Sequence, residues 1–155
     1  MARRPLAIAA DHAGAALKAR IIANMSTIAP DWEAIDLGGD GSDSGDDYPD
    51  AARAVAERIL AGGAERGIVM CGSGIGVSIA ANKFHGIRAA AAHTPALAEQ
   101  GVVHDAMNVL ALGASVVSAD DASKIVAAFL AAMPSDAERF LRRTAKVAQI
   151  ETEQG

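Results

Sequence analysis

A short apolar run that passes into a glycine-rich loop constrains this chain more than any other stretch. Ile68–Met70 is apolar, which is typical of a buried parallel strand. Cys71–Gly76 then reads Cys-Gly-Ser-Gly-Ile-Gly, and its alternate glycines interrupt regular structure and permit positive φ. Small and apolar residues at helical spacing follow in Val77–Lys83. The pattern predicts a strand, a loop and a helix, with loop N–H groups available to an anion or a developing oxyanion. Cys71 lies beside these groups, where the local field favours a thiolate.

Three familiar functions of glycine loops do not fit this loop. A dinucleotide fingerprint requires its third glycine one position later and an acidic residue about 20 positions on, but Arg88–Thr94 contains no acid. A nucleotide-hydrolase loop requires Gly-Lys-Ser/Thr, which is absent. Val77 stands where a cysteine phosphatase would carry an arginine. The remaining interpretation is a cradle for an oxyanion or a small anion, with a thiol at its edge.

Composition narrows the class of protein. A length of 155 residues with 51% hydrophobic content predicts a single domain over residues 1–155. The net charge of −5 and the lack of a basic cluster argue against nucleic acid as a partner. One cysteine cannot form an internal disulfide, so a reducing cytoplasm is expected. No stretch has the pattern of an export signal or a membrane span.

Apolar runs alternate with helical segments along the chain. Strands are predicted near residues 6–10, 32–37, 68–70, 89–92 and 109–112. Helices are predicted near residues 15–25, 48–61, 77–83, from 95 to 100 or beyond, 122–133 with Asp120 as its cap, and 135–150, with a frayed tail at 151–155. This alternation predicts an α/β domain, a Rossmann-like three-layer sandwich with a five-stranded parallel sheet.

Three chemically active residues follow predicted strands. Asp11, Cys71 and His93 come at carboxyl ends of strands, which meet at the ligand-binding edge of an open parallel sheet. Asp11 could instead cap the next helix. The aspartate-rich loop 38–47 has no EF-hand spacing and is interpreted as solvated. Tyr48, at a loop–helix junction, could flank a ligand or fill a gap.

The order and spacing of several short strings resembles the sugar-phosphate isomerase family of ribose-5-phosphate isomerase B and galactose-6-phosphate isomerase. The similarity extends from Ala7 to about Lys146. Its strings are Asp11-His12-Ala13-Gly14, Asp47-Tyr48-Pro49, Cys71–Gly76, Ala80-Ala81-Asn82-Lys83, Gly86-Ile87-Arg88-Ala89, His104, Asn108–Gly113, and Arg139 with Arg142-Arg143. The resemblance implies a metal-free aldose–ketose isomerase without a cofactor. Such an enzyme interconverts ribose 5-phosphate and ribulose 5-phosphate of the pentose phosphate pathway, by proton transfer between C1 and C2 through a cis-enediolate.

The resemblance also implies the roles of individual residues. Cys71 matches the family's base and points to ribose-type rather than galactose-type members. Ser73 matches a residue that passes a proton between oxygens, Asp11 one that binds sugar hydroxyls, and His104 the histidine that promotes ring opening. The expected substrate-binding residues are His12, Tyr48, Gly72, Gly74, Ile75, Gly76, Asn82, His93, Asp105, Arg139 and Arg143.

Two tail arginines are expected to bind the phosphate with His12. Arg139 and Arg143 are four residues apart, so they share one helix face, where two guanidiniums can clamp phosphate oxygens. Arg142 points elsewhere and is expected to be a surface charge. The resemblance implies sites built from both chains of a homodimer, and whether dimers pair into tetramers is left open.

Four residues depart from the family pattern. Ser115 replaces a phosphate-binding arginine, Phe140 a histidine, His93 an aromatic residue and Asp105 an asparagine. The preferred sugar is therefore open, with a tetrose or hexose phosphate as alternatives to the pentose. A catalytically silent sugar-phosphate sensor is the alternative of another class. A zinc site from Cys71 and two histidines matches no familiar ligand spacing.

Overall fold

One parallel sheet forms the centre of the computed structural model, which describes residues 1–155. Its five strands lie in the order β2-β1-β3-β5-β4, and each neighbouring pair is parallel. The strands are β1 (Arg4–Ala10), β2 (Trp32–Asp36), β3 (Arg66–Cys71), β4 (Ala89–Ala91) and β5 (Val109–Gly113). The predicted α/β sandwich with a five-stranded parallel sheet is therefore confirmed.

Seven helices cover the sheet. They are α1 (Ala15–Ala23), α2 (Met25–Ile28), α3 (Tyr48–Leu60), α4 (Ile75–Ala81), α5 (Pro95–Asp105), α6 (Ala119–Ala131) and α7 (Glu138–Glu153). Residues of α1, α2, α5 and α6 pack into one apolar cluster, and residues of α3 and α4 pack into a second. None of the helices combines the length and the apolar character that a bilayer crossing requires.

The two apolar clusters take alternate residues of the same strands. In β3, Ile68 and Met70 face the cluster of α1, α2, α5 and α6, whereas Val69 and Cys71 face that of α3 and α4. This alternation follows from the two-residue period of a strand. Both faces are buried, so the strand is apolar throughout, as its sequence predicts. Cys71 therefore ends the strand on the side of α3 and α4.

The strand order creates a crevice between β1 and β3. The chain leaves β1 toward β2 on one side, and it leaves β3 toward β4 on the other. Ligands of open parallel sheets bind at such a switch point, outside the carboxyl ends of the strands. Asp11 follows β1 and Cys71 ends β3. The Asp11 N–H donates to the Met70 carbonyl at 3.1 Å, which holds the two strand ends together.

Several helix boundaries differ from the predictions. Ser118, not Asp120, caps α6, because its hydroxyl accepts from the Asp121 N–H at 3.1 Å. Helix α1 ends at Ala23, and α7 begins at Glu138 rather than Ser135. The predicted frayed tail is wrong for residues 151–153, which continue α7. The Glu151 carboxylate accepts from the Gly86 N–H at 3.0 Å and so fixes this end of the helix.

Candidate active site

The thiol of Cys71 lies inside the turn that its glycine loop makes. Only 5% of the residue is exposed, and the Gly74 N–H donates to its Sγ at 3.3 Å. Gly74 has φ of +78°, a conformation that a residue with a side chain rarely adopts. The expected strand, loop and helix arrangement is thus present, with the thiol directed into the loop.

Two of the loop N–H groups already have partners within the loop. Gly74 donates to Cys71, and the Ile75 N–H donates to the Ser73 hydroxyl at 3.1 Å. Ser73 is exposed, and its hydroxyl accepts this bond. Two donors of the predicted anion-binding loop therefore stabilise the loop itself. The remaining amides, those of Gly72, Ser73 and Gly76, are the candidates for substrate contacts.

The turn after β5 is hydrogen-bonded to the glycine loop. The Ala114 N–H donates to the Cys71 carbonyl, and the Ser115 N–H donates to the Gly72 carbonyl, both at 2.9 Å. Ser115 Oγ lies 3.8 Å from where a Cβ of Gly72 would stand. Ser115 thus lies beside the glycine loop and is exposed. The resemblance described above implies an arginine at this position, where this chain has a serine.

Asp11 and His12 form the opposite wall of the crevice. Asp11 is buried, and its carboxylate accepts from the Gly14 N–H at 3.1 Å, so it caps the turn before α1 while remaining at the strand end. His12 is exposed, and its ring Nδ1 and its backbone N–H both contact one oxygen of Asp46, at 2.7 and 2.8 Å. Asp46 therefore fixes both the backbone and the ring of His12.

This ion pair shifts both titrations in opposite directions. The hydrogen bond from the ring to Asp46 is the main cause that raises the pKa of His12 above its ordinary value. The same bond is the main cause that lowers the pKa of Asp46. The pair favours a cationic imidazole whose Nδ1 is occupied. Its other nitrogen, Nε2, is left for an anionic group.

Tyr48 closes the third side, against the glycine loop. A Cβ added to Gly76 would lie 2.7 Å from Cζ of the Tyr48 ring, so the ring packs directly on the loop backbone. The absence of a side chain at position 76 permits this approach. Tyr48 is 43% exposed and borders the crevice. Of the two interpretations of Tyr48, this contact favours the flank of a ligand site.

A second group of expected site residues lies elsewhere on the chain. The imidazole of His104, at the end of α5, stacks on the Phe140 ring with centroids 4.3 Å apart and planes inclined by 14°. The guanidinium of Arg139 lies 4.4 Å from the centroid of the same ring, and that of Arg143 lies 5.9 Å from it. Arg142 instead pairs with Glu138 at 2.9 Å, which confirms it as a surface charge. No carboxylate lies within 4.0 Å of either Arg139 or Arg143.

The two groups lie at opposite edges of the sheet. Helix α5 returns the chain from the carboxyl end of β4 to the amino end of β5, so its last residues lie at the amino edge. Arg88, just before β4, confirms this position, because its Nε donates to the Ala106 carbonyl at 2.6 Å. At the same edge, the Gly67 N–H at the start of β3 donates to the Asn108 carbonyl at 2.9 Å. Cys71 lies at the other end of β3, about 13 Å away at the usual rise of a strand.

Three of the expected substrate-binding residues have no side-chain hydrogen bond or ring contact with Cys71 or with the cluster of His104, Phe140 and the two arginines. The Asn82 amide donates to the Ala89 carbonyl and accepts from the Ala89 N–H, both at 2.8 Å. These bonds occupy the amide and indicate that it fixes the edge strand β4. Asp105 is exposed beside His104. His93 is half-buried two residues beyond β4, and its Nε2 is buried without a hydrogen-bond partner.

Sequence reasoning missed Asp46. The aspartate-rich pattern of loop 38–47 predicts a solvated loop, and its composition does not distinguish one carboxylate from another. Asp46 is 34 residues from His12 along the chain. The loop reaches β1 because Gly39 lies so close to Ala10 that a Cβ at position 39 would stand 1.8 Å from the Ala10 oxygen. The only local signal is the row of glycines at 38, 39 and 41, which permits such an approach.

Comparisons of the sequence and of the structure with known proteins identify the same group of sugar-phosphate isomerases. A sequence model of the Ribose/Galactose Isomerase family matches residues 6–148. Ribose-5-phosphate isomerase B of Escherichia coli is 38% identical over 148 residues, which are 96% of this chain and 97% of that protein. D-erythrulose-4-phosphate isomerase 2 of Mycolicibacterium smegmatis is 40% identical over 95 residues, 61% of this chain and 62% of that protein. The structure of ribose-5-phosphate isomerase B from Mycoplasma genitalium with bound ribulose-5-phosphate superposes with a TM-score of 0.89 at 36% identity, over 99% of each chain.

Proposed function

Because the chain belongs to the ribose/galactose isomerase family, we propose that it interconverts ribose 5-phosphate and ribulose 5-phosphate as an aldose–ketose isomerase. The observation that carries the proposal is the buried Cys71 thiol in the glycine loop at the switch point, with a backbone N–H aimed at its sulfur. Ribose-5-phosphate isomerase B of Escherichia coli, which is similar to this chain over 97% of its own length, is named for this activity. The similar structure from Mycoplasma genitalium contains bound ribulose-5-phosphate. A place in the pentose phosphate pathway, in the cytoplasm, belongs to the same proposal.

The reaction requires one proton to move between adjacent carbons. In the forward direction the Cys71 thiolate takes the proton from C2 of the open-chain aldose, and the carbonyl oxygen at C1 becomes the oxygen of an enediolate. The thiol then returns a proton to C1. The hydroxyl proton of the C2 oxygen passes through the Ser73 hydroxyl to the C1 oxygen, so that C2 becomes the ketone and C1 carries the hydroxyl. Thiols with thiolate character near neutral pH suit this step. Loop amides and the Ser73 hydroxyl lie where fixed donors stabilise the developing negative charge.

The walls of the crevice hold the rest of the sugar phosphate. Asp11 faces the sugar hydroxyls from the end of β1, and Tyr48 borders the sugar from the start of α3. The imidazolium of His12, held by Asp46, offers Nε2 to the phosphate. Ser115 leaves the phosphate end more open than an arginine would, so the remaining cations carry more of the binding.

The cations that would complete phosphate binding come from a second copy of the chain. His104, Arg139 and Arg143 lie at the amino edge of the sheet, away from Cys71, so one chain presents two half-sites. In a homodimer with composite sites, the amino edge of one chain meets the crevice of the other. There His104 donates a proton to the ring oxygen as the bond between that oxygen and C1 breaks, while the hydroxyl on C1 loses its proton to water. The two guanidiniums clamp the phosphate. A closed two-fold dimer forms two such sites.

A tetrose phosphate is the second candidate substrate. The similarity to D-erythrulose-4-phosphate isomerase 2 over 95 residues favours it. A four-carbon substrate places its phosphate one carbon closer to the reacting centre. The chemistry at Cys71 would be unchanged.

An exchange assay in deuterium oxide tests the function directly. Purified protein is incubated with aldose phosphates of four, five and six carbons, and carbon-bound deuterium in aldose and ketose is followed by NMR. We expect ribose 5-phosphate to give ribulose 5-phosphate with solvent deuterium at C1, and Cys71→Ala to abolish this exchange. Cys71→Ser serves as the nearly isosteric control and should retain at most a trace of activity, because an alkoxide is far harder to form. Conversion of no sugar phosphate, or full exchange by Cys71→Ala, would contradict the proposal.

A further inference from the structure

Contacts from both tail arginines and from the half-site histidine converge on the side chain of Phe140. Its ring stacks on the His104 imidazole at 4.3 Å. The same ring receives the Arg139 guanidinium at 4.4 Å and the Arg143 guanidinium at 5.9 Å. Aromatic rings prefer such offset stacking, and a guanidinium is attracted to the negative face of a ring. Three polar groups that would act on one ligand thus share one apolar neighbour.

Phe140 is also the only buried residue of α7. It is 7% exposed, whereas both arginines beside it on the helix are exposed. The Phe140 ring therefore anchors the helix to the end of α5, where His104 lies. The neighbouring Arg142 is held by Glu138, but the other two arginines have no carboxylate partner. Their guanidiniums are thus oriented by the Phe140 ring rather than by an ion pair, and this leaves their positive charge uncompensated for an anion.

We propose that Phe140 is a positioning residue that holds His104, Arg139 and Arg143 as one preorganised unit for the sugar phosphate. The inference rests on the proposed function, since the unit would serve sugar-ring opening and phosphate binding together. The Phe140 ring touches no substrate atom in this scheme. It fixes the distance between the imidazole that exchanges a proton and the guanidiniums that bind the phosphate. Reaction rates are sensitive to such misplacement.

A measurement without substrate tests the geometry by itself. A ring proton that lies over an aromatic face is shielded, so the carbon-bound ring protons of His104 should resonate upfield of those of the exposed His85. The chain has four histidines, and the His104→Asn variant assigns the signal. Phe140→Leu should move the signal to the ordinary position, and Phe140→Tyr should keep it upfield. A His104 signal without an upfield shift in the wild-type protein overturns the stacking arrangement, whether or not the protein is an isomerase.

Steady-state kinetics then test what the arrangement does. For Phe140→Leu we expect kcat/KM for ribose 5-phosphate to fall about tenfold, divided between a higher KM and a lower kcat, because both groups lose their orientation. Phe140→Tyr should stay within about twofold of the wild type. Phe84→Leu is the matched control, because Phe84 lies under the Arg53 guanidinium at 5.4 Å and stacks on none of His104, Arg139 and Arg143. It should leave kcat/KM and the His104 signal unchanged.

The outcomes separate positioning from simple anchoring of α7. Thermal unfolding of each variant reports loss of anchoring, and titration with inorganic phosphate reports the arginine pair without catalysis. A Phe140→Leu variant that is folded and keeps wild-type kcat, KM and phosphate affinity overturns the proposal. If that variant does not fold, Phe140→Met replaces it, because methionine fills a similar volume without an aromatic face. A wild-type protein inactive on every sugar phosphate refutes the proposed function alone, while the histidine signal and the phosphate titration still decide the role of Phe140.

Discussion

Two inactive variants should restore each other's activity if each active site draws on both chains. Cys71→Ala removes the base at the carboxyl edge, and His104→Asn removes the imidazole at the amino edge. The two edges are about 13 Å apart along β3, whereas proton transfer requires contact at about 3 Å. We therefore expect that no single chain completes a site. In a dimer that contains one chain of each variant, one site lacks both groups, and the other site has both.

The size of the recovery follows from random pairing. Equal amounts of the two variants give half mixed dimers, and each mixed dimer has one intact site of two, so the mixture should reach about a quarter of the wild-type activity. Mixed dimers that are purified with two different affinity tags should reach about half. The assay is the initial rate of ketose formation from ribose 5-phosphate, after the mixed chains have been unfolded and refolded together.

A second mixture provides the control. Cys71→Ala and Asp11→Asn lie in the same half-site, so no pairing of these chains assembles an intact site, and their mixture should stay inactive. The reasoning is refuted if purified mixed dimers of Cys71→Ala and His104→Asn are inactive. It is refuted equally if sedimentation shows that the active wild-type species is a monomer.

Three further predictions follow from contacts of the single chain. Asp46→Asn should bring the raised pKa of His12 back toward its ordinary value, because the substitution removes the hydrogen bond that is the main cause of the raised pKa. Phosphate binding is lost as the pH rises through the pKa of His12, so the variant should lose phosphate binding at a lower pH than the wild type. NMR titration of the His12 ring measures its pKa, and KM as a function of pH measures phosphate binding. An unchanged titration would show that another group sets the pKa of His12. Gly76→Ala should lower kcat/KM by displacing Tyr48, and a double-mutant cycle should show a smaller loss in a Tyr48→Ala background; equal losses in both backgrounds would exclude the ring contact as the cause. Arg66→Met should lower the free energy of unfolding by about 2–4 kcal/mol, because it leaves two buried carbonyl groups at the end of α6 without their donor; urea unfolding with a change below about 0.5 kcal/mol would contradict this account.

The sequence by itself determined the architecture and one half of the site. Alternation of apolar strands with helices specifies a parallel sheet, and residues directly after strands then gather at one edge without any knowledge of side-chain contacts. Asp11 and Cys71 are placed in this way, because their positions depend only on where β1 and β3 end. The glycine loop is equally local, since backbone freedom at Gly74 is a property of the residue itself.

Only the tertiary structure decided which distant side chains meet. The pairing of Asp46 with His12 closes a separation of 34 residues, and the stack of Phe140 on His104 joins helices α5 and α7. Such contacts depend on the closure of long loops and on the packing of helices, and no local sequence pattern encodes either. His104 illustrates the difference most clearly. Its place near the end of α5 is readable from the sequence, but only the sheet order and the return of α5 to the amino edge separate it from Cys71. This separation is the reason for proposing a site that two chains share.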